Sequence, residues 1–97
     1  MPSGSAAAER YQIEGELGRG GMGVVYAAFD TSTGRRVALK RLLAERFRNQ
    51  SELARATTLF EREYHTLSQL AHPNIISVFD YGIDPEGPYY TMERLTG

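Results

Sequence analysis

Cysteine and tryptophan are absent from this sequence, histidine occurs only twice, and charge of neither sign dominates. Without cysteine there can be no disulfide, no thiolate metal site and no cysteine nucleophile, a usage that fits a cytoplasmic protein. Two histidines are too few for a histidine-built metal cluster. Eleven Lys and Arg against twelve Asp and Glu leave a formal net charge of -1, too weak a field to draw nucleic acid or an anionic membrane, and neither is expected as a partner. No stretch approaches the ~18 apolar residues of a membrane span. The start, Met1 to Glu9, has neither the basic nor the apolar region of a secretion signal. The expectation is a soluble, unexported, cytoplasmic chain with no membrane segment within residues 1–97.

What is present suits one small domain: 97 residues, 41% of them hydrophobic and 24% charged. A core of that size leaves marginal stability unless something else covers part of it. Residues 2 to 8, Pro-Ser-Gly-Ser-Ala-Ala-Ala, have nothing large to bury, so residues 1–10 are expected to form a flexible tail, with folded structure from Tyr11 onward.

Between Tyr11 and Leu17 the apolar residues Tyr11, Ile13 and Leu17 fall on alternate positions, the period of a half-buried strand. Four glycines follow, and then the β-branched and aromatic run Val24 to Phe29 predicts a second strand closed by the turn residues Thr31 to Gly34. Arg36 to Leu42 is a third strand, with Val37 and Leu39 on one face and Ala38 and Lys40 on the other. From Leu42 to Leu70 the period changes. Ala56, Leu59, Phe60, Leu67 and Leu70 recur at three- and four-residue steps, which predicts a helix over at least Thr58 to Leu70. Thr58 with Glu61 has the form of a capping box, while Ser51 to Arg55 could instead extend the same helix. His72-Pro73-Asn74 ends it, because proline cannot continue the ladder and disfavours the helical region before it. Two further strands, Ile75 to Tyr81 and Tyr89 to Leu95, are joined through the turn Asp84-Pro85-Glu86-Gly87. The order β-β-β-α-β-β with short connections predicts an α+β fold: a five-stranded, largely antiparallel sheet with one main helix between strands 3 and 4.

Two patterns point to chemistry. Gly18-Arg19-Gly20-Gly21-Met22-Gly23 has the G-x-G-x-x-G spacing, but Val24 and Val25 continue it as a strand, so a dinucleotide fold, which needs a helix there, is excluded. A Walker loop fails too, for want of a lysine after the last glycine. The remainder is a hairpin whose uncrowded backbone N–H groups can approach phosphate oxygens, beside the plain alternative of a glycine-rich turn joining strands. The second pattern is Lys40 inside an apolar strand together with Glu63 on the apolar stripe of the helix. A carboxylate so placed needs a partner, and Lys40 is the obvious one, since burying either ion alone costs several kcal/mol. The plainer readings, an edge lysine in solvent and a Glu63 that merely flanks the stripe, stay open.

Taken in order, Leu17 to Tyr26, Val37-Ala38-Leu39-Lys40, Glu63, His72-Pro73-Asn74-Ile75 and Tyr89 to Gly97 resemble the amino-terminal lobe of protein kinases, in wording close to the eukaryotic-type serine/threonine kinases of bacteria. The resemblance covers Tyr11 to the end and implies a kinase domain over residues 11–97. It implies that Gly18, Arg19, Gly20, Gly21, Met22, Gly23, Val24 and Val25 cover the phosphates of ATP, and that Lys40 contacts the α and β phosphates while paired with Glu63. Leu17, Val25 and Ala38 would line the adenine pocket, Met92 would be the gatekeeper, and the backbone of Glu93 and Leu95 would bind adenine. His72 would be a packing residue. Glu63 stands nine residues before His72, as the family pattern expects, which favours it over Glu61.

Two departures qualify the resemblance. The stretch Arg41 to Leu59 is long and leaves room for a short extra helix around Leu42 to Phe47. No His-Arg-Asp catalytic segment, metal-binding Asn or Asp, or activation segment is present, so the expectation is a lobe truncated at the hinge, inactive alone. Mg²⁺ ligands and contacts to protein substrates would then belong to the absent lobe. Asp80-Tyr81-Gly82 imitates the metal-binding Asp-Phe-Gly but precedes the hinge and reads as the end of a strand. The rival functions are a non-catalytic nucleotide-binding or regulatory module and a small β-sheet interaction domain.

Overall fold

The computed structural model describes residues 10–20, 23–70 and 77–94. Among these residues the strands are β1 (Tyr11–Arg19), β2 (Gly23–Asp30), β3 (Arg35–Leu42), β4 (Val78–Asp84) and β5 (Gly87–Glu93), and an α-helix, α1 (Gln50–Gln69), stands between β3 and β4. All pairings are antiparallel, in the order β1-β2-β3-β5-β4. The predicted α+β architecture is the observed one.

Asp30 sets the β2–β3 turn by accepting from the Ser32 N–H and the Thr33 hydroxyl, both at 2.9 Å, and Gly34 supplies the positive φ of 74° that the turn requires. A short 3₁₀ turn, Ala44–Arg46, occupies the expected room after β3. The helix then starts a full two turns before Thr58. Asn49 is its N-cap, accepting from the Glu52 N–H at 2.9 Å, and the Glu52 carboxylate accepts from the Arg48 N–H at 3.1 Å. Thr58 is therefore interior, its hydroxyl donating to the Ala54 carbonyl at 3.0 Å. The Asn49 and Glu52 cap wins over Thr58 and Glu61 because nothing between them interrupts the helix. The helix closes at Leu70; the stop expected at His72-Pro73-Asn74 lies outside the described residues, as do Ile75 and the tail at residues 1–9.

Each face of the sheet has its own core. On one, Leu42 and Tyr90 pack with Ala56 and Phe60 of α1, flanked by Leu53, Tyr64, Leu67, Val78 and Met92. Leu59 and Leu70, expected on the same stripe, are exposed. On the other face Tyr11, Ala28, Val37, Leu39 and Tyr89 form a second cluster with no helix of the described residues over it. It is closed by curling of the sheet: β1 and β4 are opposite edges, yet Arg10 lies 3.2 Å and the Tyr11 hydroxyl 3.5 Å from Asp80. Asp80 thus sits within β4 as a strand residue. That twist is the ordinary right-handed coiling of strands carried far enough to bring the edges together.

Candidate functional site

Strand alternation decides which side chains meet. Directly opposed residues of an antiparallel pair share a face, so the pairings Val25↔Lys40, Ala27↔Ala38, Lys40↔Tyr90 and Ala38↔Met92 put these side chains on the helix side. Val24, opposed to Arg41, points to the other face and is only 1% exposed, so it can offer a ligand nothing but its backbone.

Lys40 Nζ stands 2.6 Å from Glu63 Oε1, joining β3 to α1. Phe60, one turn before Glu63, is buried in the sheet and carries the glutamate inward with it. Both ends keep some solvent contact, so the pair contributes on the order of 1 kcal/mol or less to stability and matters chiefly for position. Burial pushes the Glu63 carboxyl up, but hydrogen bonds from Lys40 and Tyr90 and the lysine charge outweigh it and hold the group below the usual carboxylate range. The Tyr90 contribution is absent from the sequence reading. Its one signal was parity, since Tyr90 lies two residues from Met92 and so shares its face.

β1 and β2, the latter next to β3 in the sheet, are the strands that flank the glycine-rich segment. Gly20 N–H donates to the Gly23 carbonyl at 2.9 Å across the hairpin. Arg46, from the 3₁₀ turn, donates to the Gly20 carbonyl at 2.6 Å, and Arg19 pairs with Glu16 at 2.7 Å. The glycines divide by role. A Cβ on Gly18 or Gly20 would meet nothing within 4 Å, whereas one on Gly23 would sit 2.1 Å from the Arg41 carbonyl oxygen. Gly23 is required by the approach of β3, and Gly18 and Gly20 have open space about them. Leu17 falls at a register shift between Glu16 and Gly18 and is exposed. Gly21, Met22 and Leu95 lie outside the described residues.

At the far end of β5, Met92 is half-buried in the helix-side core, and the Glu93 N–H donates to the Ser77 carbonyl at 2.8 Å. A base binding at Glu93 would therefore have to use the carbonyl. A groove between the segment before α1 and its first turns, lined by Phe47, Asn49, Glu52, Arg55, Ala56 and Leu59, shares no residue with this site. Among the described residues no helix is long and apolar enough to cross a membrane.

With this geometry in place, comparison decides the family. The protein kinase domain family matches residues 11–97. The chain belongs to it. Relatives of this kinase domain include the probable serine/threonine-protein kinase SCO3848 of Streptomyces coelicolor, 44% identical over 92 residues, which are 91% of this chain and 13% of that protein. The DNA damage-responsive serine/threonine-protein kinase RqkA of Deinococcus radiodurans is 41% identical over 99 residues, covering 100% of this chain and 14% of that protein. The probable serine/threonine-protein kinase PknB of Corynebacterium glutamicum is 39% identical over 94 residues, 93% of this chain and 14% of that one. The chain thus spans only about one seventh of the length of these curated relatives. A solved structure titled PpkA-294 apo form shares the fold, with a TM-score of 0.80 and 22% identity over 91% of this kinase domain and 36% of that chain.

Proposed function

We propose that this chain is the ATP-binding lobe of a serine/threonine protein kinase whose complete form transfers the γ-phosphate of ATP to protein hydroxyls. The observation that carries the reading is the Lys40–Glu63 pair, held at 2.6 Å with Lys40 directly opposite Val25 of the glycine-rich hairpin, which has space at Gly18 and Gly20. The residues fit a nucleotide. Backbone N–H groups along Gly18 to Val25 would cover the phosphates, and the Lys40 ammonium would bind the α and β phosphates. Val25 and Ala38, on the same face as Lys40, with Leu17 at the edge, would enclose adenine beside Met92, and the backbone of Glu93 and Leu95 would hold its edge. When bound, ATP supplies the transferable phosphoryl group and Mg²⁺ neutralises its charge, with Mg²⁺ ligands expected outside residues 1–97. Glu63 keeps the ammonium pointed at the phosphates rather than at solvent. The chain carries no His-Arg-Asp segment to position a substrate hydroxyl, so residues 1–97 alone are proposed to bind nucleotide without transferring phosphate.

Isothermal titration with ATP tests this. A roof without a floor should bind at roughly millimolar Kd, about −4 kcal/mol, and Lys40→Met should weaken it at least tenfold. Binding unaffected by Lys40→Met would overturn the assignment, and micromolar binding by a well-behaved monomer would favour a self-sufficient nucleotide module. Labelled phosphate transfer to any protein, abolished by Lys40→Met, would overturn the proposed inactivity.

A further inference from the structure

The Glu63 carboxylate is gripped twice at one atom. Lys40 Nζ reaches Oε1 from β3 at 2.6 Å, and the Tyr90 hydroxyl donates to the same oxygen from β5. Lys40 and Tyr90 are direct cross-strand partners, which is why both arrive on the same side of α1.

The two donors differ in kind. Lys40 is a flexible side chain, 26% exposed, with three rotatable donors. Tyr90 is 2% exposed, and its ring packs against Phe60 and Tyr64 of α1 at centroid distances of 5.1 and 5.7 Å. Close packing leaves that ring little rotamer freedom, so its hydroxyl oxygen is held in place beside Glu63. Burial pushes the Tyr90 phenol well up, and the bond to Glu63 and the Glu63 charge push the same way, so the group stays a donor through neutral pH.

A phosphate arriving at Lys40 competes with Glu63 for the ammonium and adds negative charge nearby. If Lys40 were the sole tether, nucleotide binding would loosen the helix it depends on. We propose that Tyr90 is a positioning residue that holds Glu63, and through it α1, against the sheet independently of Lys40, so that the helix stays docked when the lysine shares its charge between Glu63 and a phosphate. The phosphate part rests on the nucleotide reading above; the tether itself does not.

The test uses the full chain, its Tyr90→Phe and Lys40→Met variants and the double variant, read by amide hydrogen exchange along α1 and by carbon-13 NMR titration of the Glu63 carboxyl. Tyr90→Phe keeps the ring and removes only the donor. It should raise the Glu63 midpoint and reduce protection of the α1 amides around Glu63 about tenfold, the size of one hydrogen bond to a charged group. The double variant, which strips Glu63 Oε1 of both donors, should lose more α1 protection than either single variant. Saturating ATP should leave α1 protection unchanged in wild type and lower it in Tyr90→Phe. An unmoved Glu63 midpoint with protection lost evenly over the sheet would make Tyr90 a packing residue and overturn the proposal, as would ATP-induced loosening of α1 in wild type. Should Tyr90→Phe fail to fold, Glu63→Gln serves: the Tyr90 phenol, followed by carbon-13 at its Cζ, should titrate lower, and an unchanged midpoint overturns the tether. If ATP binds Lys40→Met as well as wild type, the nucleotide reading fails while the Tyr90→Phe result still judges the tether.

Discussion

Arg41 and Asp84 form a doubly hydrogen-bonded ion pair sealed inside the sheet, each guanidinium Nη donating to one carboxylate oxygen at 2.8 Å, with the side chains 7% and 1% exposed. Arg41 also donates to the Gly87 carbonyl at 3.1 Å, and the Glu86 N–H donates to Asp84 at 2.9 Å, so the pair fastens the end of β3 to the β4–β5 turn. Both ions lie in low dielectric, where removing one strands the other. Asp84→Ala should cost about 3 to 5 kcal/mol, enough to unfold most of so small a domain, whereas Arg41→Met with Asp84→Leu should recover much of the loss. Urea unfolding of the three forms checks this, and a double variant no better than Asp84→Ala would contradict it.

Asp30 predicts a pH dependence. Hydrogen bonds from Arg10 are the main cause, and against the opposing effect of burial they, with Thr33, the Ser32 N–H and the Arg10 charge, push its carboxyl down to about 2. A depressed folded pKa means that the stabilisation is complete above the ordinary Asp value near 3.8 and is lost as pH falls toward 2. Asp30→Asn should therefore destabilise by roughly 1 to 2 kcal/mol at pH 7, with the gap to wild type closing between pH 4 and about 2. Stability curves of the two proteins that stay parallel across that window would refute the assignment.

The glycines should separate stability from binding. Gly23→Ala puts a Cβ 2.1 Å from the Arg41 carbonyl oxygen and must push β2 from β3, a loss of about 2 kcal/mol or more. Gly18→Ala and Gly20→Ala meet no atom within 4 Å and should leave stability within about 0.5 kcal/mol while weakening ATP binding. Thermal melts paired with ATP titrations test the contrast.

Two tyrosines of one core, Tyr90 buried and Tyr81 partly so, should respond oppositely to the same change. The Tyr81 hydroxyl is buried with no hydrogen-bond partner among the described residues, and burial raises its pKa, with the Glu61 charge adding to it. Tyr81→Phe should stabilise by about 1 kcal/mol, where Tyr90→Phe destabilises. A lower unfolding midpoint for Tyr81→Phe would mean that the hydroxyl has a partner, such as a bound water.

Period and turn chemistry in the sequence were enough for five strands, one helix and their order. Alternation is a property of the extended backbone itself, and so Lys40 and Val37 could be set on opposite faces before any contact was known. The glycine spacing followed by Val24 and Val25 was likewise sufficient to exclude a helix after the loop. Element ends were less legible, because Asn49 and Thr58 both fit a cap and only the uninterrupted ladder between them chose the first. What the fold alone decided were the contacts between elements far apart in the chain: Tyr90 on Glu63, Asp84 beneath Arg41, Asp80 brought to Arg10 by the curl of the sheet. Local sequence sets the direction in which a side chain leaves its own strand or helix. Which distant group waits there depends on strand order and twist, which arise only when the two faces of the sheet bury their apolar residues together.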